Sequence, residues 1–95
     1  MFEVRETEVF RAWLRSIHDV PTVVRIGKRV ERLAAGNFGD FKVFGRVIEL
    51  RLDFGPGFRF YATRTGKTVL VLLCGGDKLT QKADFARATA MAEEI

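Results

Sequence analysis

The hydrophobic period switches from helical to alternating near Gly45, and that switch limits the folds open to this chain. For most of the stretch before Gly45 apolar residues recur at helical spacing; just after it they alternate. Val9, Phe10, Trp13, Leu14 and Ile17 mark one amphipathic helix, with Thr7 placed to cap it. His18-Asp19-Val20-Pro21 interrupts that helix, and Pro21 suits the first turn of a second, where its missing N–H has no intrahelical role. Val23, Ile26, Val30 and Leu33 form the second apolar stripe, with Arg25, Lys28, Arg29 and Arg32 on its other faces. Gly36-Asn37 ends it. The pair reads as a helical hairpin.

Past a glycine-rich loop from Gly36 to Gly45, the segment Val47 to Asp53 places Ile48, Leu50 and Leu52 on one face and Glu49, Arg51 and Asp53 on the other. Gly55-Pro56-Gly57 is a turn. From Phe58 to Arg64 the alternation resumes, with Phe58, Phe60 and Ala62 opposite Arg59, Tyr61 and Thr63. Thr65-Gly66 turns again, and Lys67 to Cys74 is almost wholly apolar, as in a central strand buried on both faces. A short strand within Met1 to Glu6 precedes these elements. A last helix begins near Thr80, with Phe85, Ala88 and Ala92 as a weak apolar stripe.

The expected architecture is α+β in one domain, residues 1–95: an open antiparallel sheet with the helical hairpin on one face and a short C-terminal helix. The other sheet face is expected to meet solvent and to present the polar alternation.

Charge is concentrated in the centre of the chain. Residues 25–67 hold ten basic and four acidic side chains, whereas residues 1–24 and 68–95 each hold three and four. The net charge of +4 is therefore a +6 centre between two ends of −1. Such a centre suits a polyanion, although an ordinary solvated surface can carry the same charge. His18 and Cys74 are the only histidine and cysteine. A zinc site, an internal disulfide and a nucleophilic triad are therefore not expected, nor is any cofactor. His18 reads as a turn residue, Cys74 as a buried strand residue, and Trp13 as core. No apolar run is long enough to span a membrane, and the acidic start lacks a signal-peptide pattern, so a cytoplasmic location is expected.

Arg51, Arg59 and Tyr61 share the polar strand face, Lys78 follows the next strand, and Lys42 and Arg46 precede the meander. Cross-strand neighbours on one face lie within about 5–8 Å. Guanidinium groups there could grip phosphate oxygens and stabilise charge developing on phosphorus. A solvated sheet face with ordinary charged residues remains the alternative.

Several segments resemble a known family. They are Arg32-Leu33-Ala34-Ala35-Gly36-Asn37-Phe38-Gly39-Asp40; Ile48-Glu49-Leu50-Arg51-Leu52 followed by Gly55-Pro56-Gly57-Phe58-Arg59-Phe60-Tyr61; and Leu72-Leu73-Cys74-Gly75-Gly76-Asp77-Lys78-Leu79-Thr80-Gln81 with Asp84 and Ala88. In order and spacing these resemble addiction-module killer proteins of the RelE/ParE superfamily, in its HigB-like or phage Gp49-like branch. The resemblance implies a toxin that cuts mRNA on the ribosome without a metal, and a cognate antitoxin, often a helix-turn-helix protein. It implies catalytic roles for Arg59, Arg51 and Lys78, and RNA contacts from Lys42, Arg46, Tyr61 and Gln81. The chain departs from RelE in having no tyrosine beyond Gly75, and it lacks the histidines that some HigB proteins use. A ParE-like gyrase inhibitor and a non-catalytic RNA-binding module are the competing readings.

Overall fold

A computed structural model describes residues 1–95. The elements run β1 (Glu3–Glu6), α1 (Glu8–Ser16), α2 (Val20–Ala34), β2 (Phe41–Phe44), β3 (Val47–Arg51), β4 (Arg59–Thr65), β5 (Val69–Gly76) and α3 (Gln81–Glu93). The Thr7 cap is the one the sequence calls for, and Asp19, read only as part of the break between helices, is a second. The Thr7 hydroxyl accepts from Phe10 N–H at 3.1 Å and lies 2.8 Å from the Leu72 and Leu73 carbonyls, so the cap also ties α1 to β5. The Asp19 carboxylate caps α2 through Thr22 N–H, with Pro21 in the first turn.

The five strands form one sheet in the order β1-β5-β4-β3-β2. β2 to β5 are antiparallel neighbours, but β1 runs parallel to β5, so the sheet is mixed rather than wholly antiparallel. β2 lies inside the stretch expected to be loop. Its four residues are too few to display a period, and all four are exposed at the sheet edge.

The two sheet faces carry separate cores. Ile48, Leu50, Phe60, Ala62, Leu70 and Leu72 pack under the hairpin with Phe10, Ile26 and Leu33. Val47, Tyr61, Leu73 and Cys74 pack with Ala88 and Ala92 of α3. The second face is therefore covered by α3 over much of its area, which corrects the expectation of an open polar face. The physical reason is the small side chains of α3: two alanines let the helix lie close to the sheet without a wide apolar stripe. Gly75 and Gly76 are the last two residues of β5. A Cβ on Gly75 would collide with the Trp13 ring, and one on Gly76 with the Asp84 carboxylate and Thr80 hydroxyl. Absence of side chains there lets α1 and α3 approach opposite sides of one strand.

Arg29 also departs from its expected surface position. It is 7% exposed, and it donates to three carbonyls: Arg51 at 2.6 Å, Phe38 at 2.7 Å and Asp40 at 2.8 Å. Burial, and then the neighbouring Arg32, lower its pKa. It staples the loop before β2 to the end of β3, which fixes the backbone of Arg51.

Candidate phosphate-binding cleft

Strand register places Arg51 directly opposite Arg59 across β3 and β4, and Arg59 opposite Gly76 on β5. Like charges directly opposed on one sheet face destabilise a sheet. Gly76 contributes no side chain to that row, and a hollow opens beside the two arginines. Lys78 stands at its rim. The hollow is an open cleft of about 590 Å³ lined by Arg51, Arg59 and Lys78, with Asp40, Asp53, Leu52 and the Gly55-Pro56-Gly57 turn. The three residues proposed as catalytic from sequence are thus brought together by β3, β4 and the loop after β5.

The turn between β3 and β4 is fastened to two of the cations. Lys78 N–H donates to the Pro56 carbonyl at 3.3 Å, and Arg59 Nη1 donates to the Gly57 carbonyl at 3.2 Å. Gly57 has φ +76°, and a Cβ there would lie 3.3 Å from Lys78 Cβ and 3.6 Å from Arg59 Nη1. Glycine is required both by the backbone conformation and by the close approach.

Counter-charges are partial. Arg51 Nη2 lies 3.1 Å from Asp40 Oδ1, in a pair whose carboxylate is largely exposed and hence weakly held. Arg59 Nε lies 3.9 Å from Glu49 Oε2, a charge contact and not a hydrogen bond. The Nε atoms of Arg51 and Arg59 are buried without a hydrogen-bond partner in the protein. Lys78 forms no salt bridge, and Asp53 is the cleft carboxylate with no cation paired to it. The arrangement has the chemistry of an anion site: three cations, two of them forced together by register, around a concave surface. No three His, Cys, Asp or Glu side chains converge to form a candidate metal site.

The residues assigned to RNA contact from sequence fare differently. Tyr61 is fully buried beneath α3, its hydroxyl donating to Glu49 Oε2 at 3.2 Å. Burial first, and then the adjacent Glu49 carboxylate, push its pKa well above the ordinary phenol range. It cannot stack a base without undocking α3, so that expectation is corrected. Gln81, at the start of α3, donates to the same Glu49 oxygen at 3.1 Å and is half-buried. Lys42 sits on exposed β2, opposite Glu49 in register and away from the cleft lining. Arg46, in the β2–β3 turn, donates to the Ile95 carbonyl at 3.2 Å and borders a different, mostly apolar groove with Arg64. Neither contributes to the Arg51–Arg59–Lys78 cleft.

Arg59 also differs from its expected setting. Its side chain is only 13% exposed, with the Gly57 turn on one side and the Glu49 carboxylate on the other. Sequence reasoning did not single out Glu49, Asp40 or Asp53. The alternation put Glu49 and Asp53 on the arginine face, and that was the available signal. Asp40 reaches the cleft because the Arg29 staple brings the loop before β2 against β3.

Relatedness is visible in comparison with known proteins. The chain is 38% identical over 94 residues to a Haemophilus influenzae protein named "Uncharacterized protein", an alignment covering 98% of this chain and 95% of the relative. No family model and no solved structure matches the chain. An identity of that level over nearly the full length of both proteins places this chain in the same family as the Haemophilus influenzae protein.

Proposed function

We propose that this chain is the toxin of a type II toxin–antitoxin system and acts as a ribosome-dependent mRNA endoribonuclease that needs no metal. The observation that carries the reading is the register pairing of Arg51 with Arg59 in a cleft rimmed by Lys78. Two opposed guanidinium groups are relieved by a phosphate, and most strongly by one acquiring further negative charge at the transition state. The motif resemblance to RelE/HigB killer proteins supplies the substrate, the ribosome and the antitoxin, a helix-turn-helix protein. It also favours a cytoplasmic site of action. No helix is long and apolar enough to cross a membrane.

In this mechanism the 2′-oxygen of the upstream nucleotide attacks the adjacent phosphorus, and the bond from phosphorus to the 5′-oxygen breaks. The unpaired Asp53 carboxylate takes the 2′-hydroxyl proton. Lys78 delivers a proton to the leaving 5′-oxygen. Arg59, assisted by Arg51, holds the non-bridging oxygens. The products are a 2′,3′-cyclic phosphate and a 5′-hydroxyl.

The test is expression of the chain alone, followed by end-mapping of mRNA cut on programmed ribosomes by purified protein. Growth arrest, cleavage and cyclic-phosphate ends are expected, with growth restored by the cognate antitoxin. Cleavage leaving 3′-hydroxyl and 5′-phosphate ends would overturn the mechanism. Arrest with DNA damage and intact mRNA would replace it with gyrase inhibition, and normal growth with abundant folded protein would remove the toxin reading altogether.

A further inference from the structure

Glu49 is a carboxylate in the middle of a sheet, 2% exposed, with Tyr61 beside it on β4 and Gln81 of α3 above. A buried carboxylate loses hydration that an apolar side chain would not, and it is tolerated only when donors surround it. Here two donors and one cation converge on one oxygen. Tyr61 and Gln81 donate to Oε2 at 3.2 and 3.1 Å, and Arg59 Nε lies 3.9 Å from it. The two neutral donors fix the carboxylate. The carboxylate then places its charge behind Arg59, on the side away from the cleft.

Arg59 is consequently held at two points. Glu49 draws its Nε from behind, and the Gly57 carbonyl accepts from Nη1 at 3.2 Å. Its Nη2 makes no hydrogen bond within the protein. A guanidinium gripped in this way presents a fixed donor edge to an anion and needs little reorganisation on binding. Arg51 has only the exposed Asp40 carboxylate to hold it.

We propose that Glu49 is a positioning residue: locked by Tyr61 and Gln81, it aims the Arg59 guanidinium into the cleft. The consequence for catalysis rests on the nuclease reading above, but the positioning itself does not, and two measurements separate them. The first is the ¹⁵N–¹H signal of Arg59 Nε, identified by its loss in Arg59→Lys. In the wild-type protein it should be resolved and slow to exchange with water. In Glu49→Gln, with the fold checked by thermal melting, it should move to the position of a free arginine and exchange rapidly. The second is cleavage on programmed ribosomes. Glu49→Gln should lower kcat roughly tenfold to a hundredfold with KM changed less than about twofold. Added to Arg59→Ala, it should have no further effect, which a general structural role would not produce. An unchanged Arg59 signal in folded Glu49→Gln refutes the proposal whatever the activity. Multiplicative losses in the double variant refute it too. A shifted signal in a protein whose wild type cuts nothing leaves the positioning standing and removes the nuclease. If Glu49→Gln does not fold, Gln81→Met, which releases the carboxylate from α3, must shift the same signal or the proposal fails.

Discussion

The two faces of the sheet are built from the same alternating strands and have different contents. Beneath the hairpin, Phe10, Ile26, Leu33, Leu50, Phe60, Leu70 and Leu72 are all fully buried, and the face is almost free of polar side chains. Beneath α3, Tyr61, Leu73 and Cys74 share space with Glu49 and Thr63, and the helix contributes little beyond Ala88, Ala92 and a half-buried Phe85. One face therefore supplies stability through area removed from water. The other holds a polar network, Glu49 with Tyr61 and Gln81, that lies behind Arg59 of the cleft. The comparison teaches that a buried face need not be apolar, because Gln81 of α3 and Tyr61 satisfy the Glu49 carboxylate that lies 3.9 Å from Arg59.

The largest effect should come from the hairpin face. Phe60→Ala removes a fully buried ring packed 5.8 Å, centroid to centroid, from Phe10. It should lower stability by about 3–5 kcal/mol, read as a shift in the urea midpoint. A loss below about 1 kcal/mol would mean that this face is not the main core.

Arg59→Ala tests the other face. Loss of one electrostatic donor should slow mRNA cleavage about a hundredfold to a thousandfold. Stability should fall by only about 1–2 kcal/mol, because Glu49 keeps its Tyr61 and Gln81 donors although its nearest cation is gone. Wild-type cleavage by the folded variant removes Arg59 from the mechanism, and cleavage lost only along with the fold makes it structural.

Gly76→Ala asks whether α3 must lie where it does. The new methyl would meet the Asp84 carboxylate and the Thr80 hydroxyl, and relief requires Asp84 to turn away from Thr80 or α3 to shift. The expected loss is about 1–3 kcal/mol in thermal or urea melting, with faster amide exchange in α3. A neutral result would show that the helix is loosely seated.

The last effect concerns alkaline pH and needs no substitution. Burial first, and then Asp84, push the Cys74 thiol up to about 11. The Tyr61 phenol is raised as well, by burial and by Glu49. Both groups keep their protons longer in the folded state than in the unfolded one. Their contribution is therefore complete below the ordinary thiol range near pH ~8.5 and is lost as pH rises beyond it, at about 1.4 kcal/mol per unit of displacement. Urea melts from pH 8 to 10.5 (roughly the span of ordinary thiol and phenol ionisation) should show stability falling, with a shallower fall in Cys74→Ala. At neutral pH, Tyr61→Phe should cost about 1 kcal/mol. A flat alkaline profile in the wild type would mean that the α3 face is open to water.

Much of this molecule is written locally. The two helices, the Thr7 cap, β3, β4 and the apolar run of β5 all follow from spacing, because helical and strand periods are imposed by backbone geometry within a few residues. The same alternation placed Arg51, Arg59 and Tyr61 on one face, and register brought the two arginines opposite each other. Alternation assigns a residue to a face but carries no information about what covers that face.

What lies over the arginine face depends on a helix more than 20 residues beyond Arg59 along the chain, and on two glycines that let helices close in from both sides. With Ala88 and Ala92 as its only buried residues, α3 advertises no strong stripe, since small side chains act by close approach rather than by a broad apolar surface. β2 was likewise invisible as a strand, because four exposed residues become one only when β3 supplies the hydrogen bonds. The sequence alone determined which side chains share a face, and the tertiary structure decided which of them meet water. Periodicity is a property of neighbouring residues, whereas burial is set by parts of the chain that meet only on folding.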